Sequence, residues 1–292
     1  MKKIKTITSL LLFITILVSI SITSASAVTS YDNFELEYNS TSKSYTVVNY
    51  VGNDKNVKIP EMVYGRFVTK IGSYAFANNT NIETVEVPYL VSSFDEYSFS
   101  GCTSLKEINI PEFVSNINQF AFFNCKSLKN ITMDCKIKTV SESVFRNCSS
   151  LESIVLPSTV EKIDVNAFAN CTKLSSISIG DNVTSISSDA FNGCASTLKI
   201  VANIGSYAEK YAKDNNITFE ESPQLIGDVN NDGEINVRDS VYIMRYTVLQ
   251  SGYEIPENTP IFKRADVNGD GKVNVTDATL IQKYAMHMID KF

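Results

Sequence analysis

The chain has 292 residues, with 26 basic and 32 acidic side chains and a net charge of −6. That length suffices for two domains and a sizeable core, while a mildly acidic chain without a basic cluster makes a poor nucleic-acid binder. The single histidine, His287, and the absence of tryptophan argue against most hydrolase mechanisms, which rely on a catalytic imidazole.

Residues 1–27 begin with Lys2, Lys3 and Lys5, continue with an apolar run from Leu10 to Ile20, and end on Ala25-Ser26-Ala27. This pattern reads as a secretory signal peptide cleaved after Ala27. No later stretch is apolar for long enough to span a bilayer, so an exported protein with no membrane span is expected. From 28 to 66 polar and apolar residues alternate through Phe34, Leu36, Tyr38, Tyr45, Val47, Val57 and Ile59, with Gly52 and Gly65 as punctuation. Short strands capping the open end of a solenoid fit this pattern.

A repeat follows over 67–200. Phe76, Phe99, Phe122, Phe145, Phe168 and Phe191 recur at every twenty-third position. Three positions after each come Asn79, Cys102, Cys125, Cys148, Cys171 and Cys194, and beyond these Ile82, Leu105, Leu128, Leu151, Leu174 and Leu198. Further apolar positions, such as Ile108 with Ile110, complete a short strand, and Pro88, Pro111 or Pro157 then leads into a turn. A unit this small cannot bury its own apolar face, so neighbours stack and share one core. The unit I-x-x-x-A-F-x-x-C-x-x-L-x-x-I-x-I-P resembles the BspA-type leucine-rich repeat of bacterial surface and secreted proteins. Residues 201–222 break the pattern: 205–213 suit an amphipathic helix and Asn216–Phe219 a last strand, together a closing cap, with Glu220–Gln224 as a short linker.

The segment 223–292 carries two twelve-residue loops, D-V-N-N-D-G-E-I-N-V-R-D from Asp228 and D-V-N-G-D-G-K-V-N-V-T-D from Asp266. Oxygen-bearing side chains occupy positions 1, 3, 5, 9 and 12, with glycine at position 6, which is how such a loop wraps a calcium ion. The candidate side-chain ligands are Asp228, Asn230, Asp232 and Asp239, then Asp266, Asn268, Asp270 and Asp277; Glu234 and Lys272 would offer backbone carbonyls, and Asn236 and Asn274 would act through water. Two calcium ions are therefore expected. Position 12 is Asp rather than Glu, so a shorter arm must come closer to the metal. Each position 12 is expected to begin a helix, with Val241, Met244 and Val248 on one face of the first and Leu280, Tyr284 and His287 on one face of the second. Pro256 and Pro260 mark the connection.

These paired loops, opening at Asp228 and at Asp266, resemble a type I dockerin, the module that plugs secreted proteins into cohesin domains on a scaffold. The resemblance implies cohesin contacts at loop positions 10 and 11 and along the following helices: Val237, Arg238, Met244, Arg245 and Leu249 in the first half, and Val275, Thr276, Gln282, Lys283 and His287 in the second. Arg245, Lys283 and Thr276 keep the residue type of that family, whereas its Ser-Thr pair is absent from both halves. Solvated helix residues are the plainer reading of any single position.

Five cysteines share one repeat position and are read as a buried, reduced ladder. Cys135 lies off the pattern in a turn, where exposure would make it the one candidate for a reactive thiol, an ordinary surface cysteine being the plainer reading. The strand face offers Thr84 and Glu86, Glu107 and Asn109, Asn130 and Thr132, Ser153 and Val155, Ser176 and Ser178. It carries no aromatic row for sugar rings to stack on, which favours an unknown polypeptide ligand of the repeats or a passive spacer.

The expected fold is α+β: a leucine-rich-repeat solenoid of short stacked strands followed by a small α-helical dockerin with two calcium-binding loop-helix motifs. The expected function is non-catalytic, with calcium ordering the dockerin, the dockerin engaging the cohesin domain of a scaffold protein, and the repeats being displayed on a cellulosome-like complex linked to polysaccharide degradation. An adhesin that binds host or neighbouring cells, and an enzyme of unknown type, are the alternatives.

Overall fold

The computed structural model describes residues 28–222, 225–230, 235–257 and 259–292. The signal-peptide reading of 1–27 lies outside the described residues, as do Asp232 and Glu234 of the first loop.

The repeat becomes a solenoid because each phenylalanine lands directly over the one before. Ring centroids along the series Phe76, Phe99, Phe122, Phe145, Phe168 and Phe191 are separated by 4.8, 5.4, 5.6, 5.4 and 5.5 Å, with planes within 17° of parallel. The flanking strands keep the same step in parallel register. Thr84 pairs with Glu107 and Glu107 with Asn130, and after a break in the ladder Ser153 pairs with Ser176 and Ser176 with Lys199. A second ladder of two-residue strands runs behind, pairing Lys70 with Ser93 and Ser93 with Asn116, then Thr139 with Lys162 and Lys162 with Ser185.

The cysteine position is buried at Cys102, Cys125, Cys148 and Cys171 and half-buried at Cys194, next to the closing end, for a specific reason. Each thiol donates to the carbonyl of the phenylalanine 26 residues earlier, from Cys102 to Phe76 at 3.1 Å through Cys194 to Phe168 at 3.1 Å. All six thiols are free. In the first coil Asn79 substitutes by accepting from the N–H groups of Asn81 and Ile82. Just before each ladder residue the backbone turns left-handed, at Asn78, Gly101, Asn124, Asn147, Asn170 and Gly193, where glycine and asparagine enter at least cost. A Cβ on Gly101 would also lie 2.5 Å from Asn78 Oδ1.

Cys135 corrects the sequence expectation: it is only 4% exposed. Where other coils carry Pro88, Pro111 or Pro157, this one carries Asp134, whose N–H donates to the Ile110 carbonyl at 3.2 Å. Proline has no such donor. The extra bond draws the turn onto the preceding coil and takes the thiol inside.

Both ends are closed. An antiparallel meander of Val28–Tyr31, Phe34–Asn39 and Ser44–Tyr50 joins the rear ladder through Arg66–Ile71, and Tyr50 stacks on Phe76 at 5.4 Å. Asn56–Lys58 already pairs in parallel with Thr84–Glu86, so the front ladder begins inside the stretch expected to be purely a cap. At the other end helix α1 (Tyr207–Asp214), capped by Ser206, sets Tyr211 edge-on against Phe191. The last strand is Thr218–Glu221, so Glu220 and Glu221 belong to the sheet and not to a linker.

The C-terminal unit holds three helices among the described residues: α2 (Val237–Thr247), α3 (Pro260–Ala265) and α4 (Val275–Ala285). Helices α2 and α4 start at loop position 10, not 12. The buried stripe also differs from the expected one, since each residue step turns about 100° around the helix axis. Asp239, Ser240 and Ile243 are buried on α2, and Asp277, Ala278 and Ile281 on α4; Val248 and His287 are exposed. Helix α3 was unexpected, although Thr259 as N-cap and Pro260 at the first turn are regular start signals. A small core of Val229, Ile243, Ile255, Ala265, Val267, Ala278 and Ile281 holds the unit together.

Candidate functional site

The two loops reach their shape through the same local chemistry. Asn236 and Asn274, at position 9, are the N-caps of α2 and α4, and their side-chain oxygens accept from Arg238 N–H and Thr276 N–H, each at 2.8 Å. Three residues on, Asp239 and Asp277 reach back to complete capping boxes, each accepting from its N-cap amide at 2.9 Å. The second oxygen of Asp239 accepts from Asn230 N–H at 3.0 Å, and that of Asp277 from Val267 N–H at 3.2 Å. Each position-12 carboxylate therefore closes its loop from both ends, and both are fully buried. The short aspartate arm suits this task.

In the second loop the backbone curls around the first ligand position. Asp266 accepts from Asp270 N–H and Gly271 N–H at 3.1 and 2.9 Å, and Asn268 and Asp270 accept from amides two residues ahead. Gly269 and Gly271 supply the left-handed turns. Burial pushes the Asp277 carboxyl above its ordinary value, partly offset by the Asn274 N–H. Among the described residues no three His, Cys, Asp or Glu side chains converge as a metal site. The donor set is nonetheless made of hard oxygens alone, which fits calcium and not a softer metal.

Of the remaining candidates, Asp228 is buried, Asn230 and Asp266 are half-buried, and Asn268, Asp270 and Lys272 are exposed. Val237, Arg238, Arg245, Val275, Thr276 and Lys283 are exposed along α2 and α4. Met244 packs partly against the core, and Gln282 is half-buried. Leu249 and His287 occupy matching places, each one residue beyond its helix C-cap at a φ of +55°, and Leu249 is 89% exposed. The Arg245 guanidinium lies 4.8 Å over the ring of Tyr253 and bonds its hydroxyl. Arg238 reaches the solenoid, 3.3 Å from Glu112.

Two features escaped sequence reasoning. Arg264, at the end of α3, is 2% exposed; its Nε donates to the Asp228 carbonyl at 2.7 Å, and its Nη1 has no hydrogen-bond partner among the described residues. The signal was an arginine two residues before the second loop, where the first has Ile226. On the solenoid, Tyr74, Tyr97 and Phe120 stack in parallel at 4.9 and 4.7 Å, away from the strand face, and the exposed Tyr89 and Phe113 meet edge to face at 4.9 Å. An aromatic residue two positions before the core phenylalanine in the first three units, Tyr74, Tyr97 and Phe120, was the readable sign of the first row. Its rings cover one another's faces, so it presents edges and not a platform for sugars.

Residues 69–199 match the model of the BspA type leucine rich repeat region in six copies, and residues 226–286 match the dockerin type I domain. The chain thus joins BspA-type leucine-rich repeats to a type I dockerin. Among solved structures, it is similar to the Treponema pallidum leucine rich repeat protein, with 22% identity over 66% of this chain and 98% of the other and a TM-score of 0.52. A leucine rich cell surface protein of Faecalibacterium prausnitzii aligns at 27% identity over 60% and 54% of the two chains, TM-score 0.47. A leucine-rich repeat protein of Eubacterium ventriosum aligns at 23% over 57% and 51%, also with a TM-score of 0.47. The first likeness shows the solenoid fold; the chain spans about half the length of the other two. No curated protein matches. Among the described residues no helix is long and apolar enough to cross a membrane.

Proposed function

We propose that this is an exported, non-catalytic protein whose dockerin binds a cohesin on a scaffold in a calcium-dependent way and carries the repeats into a multiprotein complex that degrades polysaccharide. The observation that carries this reading is the duplicated loop-helix unit, in which Asp239 and Asp277 are buried, close the same capping box, and each take a second bond from an amide near the loop start, Asn230 in the first half and Val267 in the second. Calcium, when bound, supplies the positive charge that lets several carboxylates share one loop. Asp228, Asn230, Asp232, Asp239 and the Glu234 carbonyl would hold one ion; Asp266, Asn268, Asp270, Asp277 and the Lys272 carbonyl would hold the other. The exposed stretches of α2 and α4 with Leu249 and His287 then form the cohesin face. Binding of the full chain to a panel of cohesins, with calcium and with chelator, tests this. Binding indifferent to chelator, or surviving Asp228→Ala with Asp266→Ala, would overturn it.

An adhesive role for the repeats is the second reading, supported by the exposed edges of Tyr74, Tyr89 and Phe113. Such half-apolar rings are over-represented where proteins bind proteins. Capture of a polypeptide ligand by the native chain, lost on Tyr89→Ser with Phe113→Ser, would support it; equal capture by both would leave the repeats as a spacer.

A further inference from the structure

Arg264 touches the points of origin of both loops. Its carbonyl accepts from Gly227 N–H at 2.7 Å, and its Nε donates to the Asp228 carbonyl at 2.7 Å, so it grips the peptide on which the first loop begins. It stands two residues before Asp266, the first position of the second loop, which is also the C-cap of α3 and bonds back to the Phe262 carbonyl. Closing the second loop around a cation fixes Asp266, hence the end of α3, and hence the two atoms of Arg264 that hold Gly227 and Asp228. The first half has no arginine to match, since the equivalent position is the apolar Ile226.

Burying this guanidinium is costly except where pairing and hydrogen bonds offset it. It is 2% exposed, with one nitrogen lacking a hydrogen-bond partner among the described residues. Asp228, Asp239 and, from the solenoid, Asp181 face it electrostatically and support its charge against burial. Helices α2 and α4 also share an apolar core that includes Ile243, Ala278 and Ile281 and takes in Val229 and Val267 at position 2 of the two loops; Arg264 adds a polar tie at position 1, and the variants below separate the two routes.

On the calcium reading above, we propose that Arg264 is the positioning residue that couples the two loops, so that occupation of the second raises the calcium affinity of the first. Coupling of this kind is reciprocal. The test is calcium titration of the full chain by calorimetry with chelator competition. The second loop is disabled by Asp266→Ala with Asp270→Ala, in the native background and in Arg264→Met. Expected is a loss of at least fivefold in first-loop affinity in the native background and of less than twofold with Arg264→Met. Arg264→Lys, which keeps the charge without the fork, should behave like Arg264→Met and serves in its place if the methionine variant lacks helix at saturating calcium. At saturating calcium, hydrogen exchange at Gly227 should quicken about tenfold in both variants, because the lost Nε bond to the Asp228 carbonyl loosens the turn that holds Gly227, a readout separate from affinity. Equal losses in both backgrounds overturn the coupling role while leaving two calcium sites intact. A native chain that binds no calcium overturns the functional reading together with it.

Discussion

The thiol of Cys148 donates to the Phe122 carbonyl at 3.2 Å, and the same carbonyl accepts from Cys125 N–H at 3.2 Å. One oxygen thus ties two successive coils, because the thiol comes from the coil after and the amide from its own. Cys148→Ala should cost about 1–2 kcal/mol, a buried hydrogen bond plus the volume of a sulfur atom, measured by urea unfolding of the native chain and the variant. No measurable loss would show that the thiol merely fills space.

Alkaline pH should destabilise the repeats. Burial pushes the Cys102 and Cys135 thiols from 9.0 up to about 12 and that of Cys194 to about 11, and raises Cys125, Cys148 and Cys171 as well. The unfolded chain therefore loses these protons first as pH rises. Stability is whole below about pH 9 and falls from there toward pH 12, and native thiols should stay unreactive to labelling at mildly alkaline pH. Rapid native labelling of Cys135 under those conditions would contradict its buried position.

Acid acts through a different group. Glu83 accepts from both Lys106 and Lys55, which hold its carboxyl at about 2 instead of 4.5. Its contribution is present above pH 4.5 and is lost as pH falls toward 2. The site is open to solvent, so the contribution is small and salt-sensitive. The pH profile of unfolding should be flatter across that window in Glu83→Gln; identical profiles would remove Glu83 from the account.

Phe145 lies mid-stack with ring neighbours at 5.6 and 5.4 Å. Phe145→Ala should cost about 3–5 kcal/mol, readable by denaturant unfolding, and a cost below about 1 kcal/mol would contradict the shared core.

The two cohesin-facing halves should differ. Arg245 is held over Tyr253 beside the exposed Leu249, whereas the second half offers Lys283 and His287. A pre-ordered arginine with an apolar neighbour is the stronger anchor. Arg245→Ala with Leu249→Ala should therefore cripple cohesin binding in calorimetry, with Lys283→Ala and His287→Ala leaving it mostly intact. Equal losses would mean that the halves are interchangeable.

Much of this fold was legible because a solenoid repeats its instructions. The phenylalanine and cysteine positions recur once per unit, and a periodic signal read so many times leaves little room for another register. The loop ligand pattern was legible for the same reason, being written twice. What escaped notice occurs once or depends on backbone detail. The inward turn of Cys135 follows from one N–H at Asp134, and the true starts of α2 and α4 follow from caps at Asn236 and Asn274. Arg264 stands where the first half has Ile226, a visible difference, but its charge argues for exposure and the sequence gives no partner for it. Its role needs contacts 36 residues away.

The strict register between coils also makes the solenoid a graduated rule. Thr84 faces Glu107 and Glu107 faces Asn130, each one full unit on. Removing or duplicating one whole unit keeps the repeated strand register and the phenylalanine stack at the join, while an insertion of any other length breaks them. Ancestral gene rearrangements could therefore shorten or lengthen this rod in notches of about 4.8 Å, shifting whatever sits at its end without a new core having to evolve.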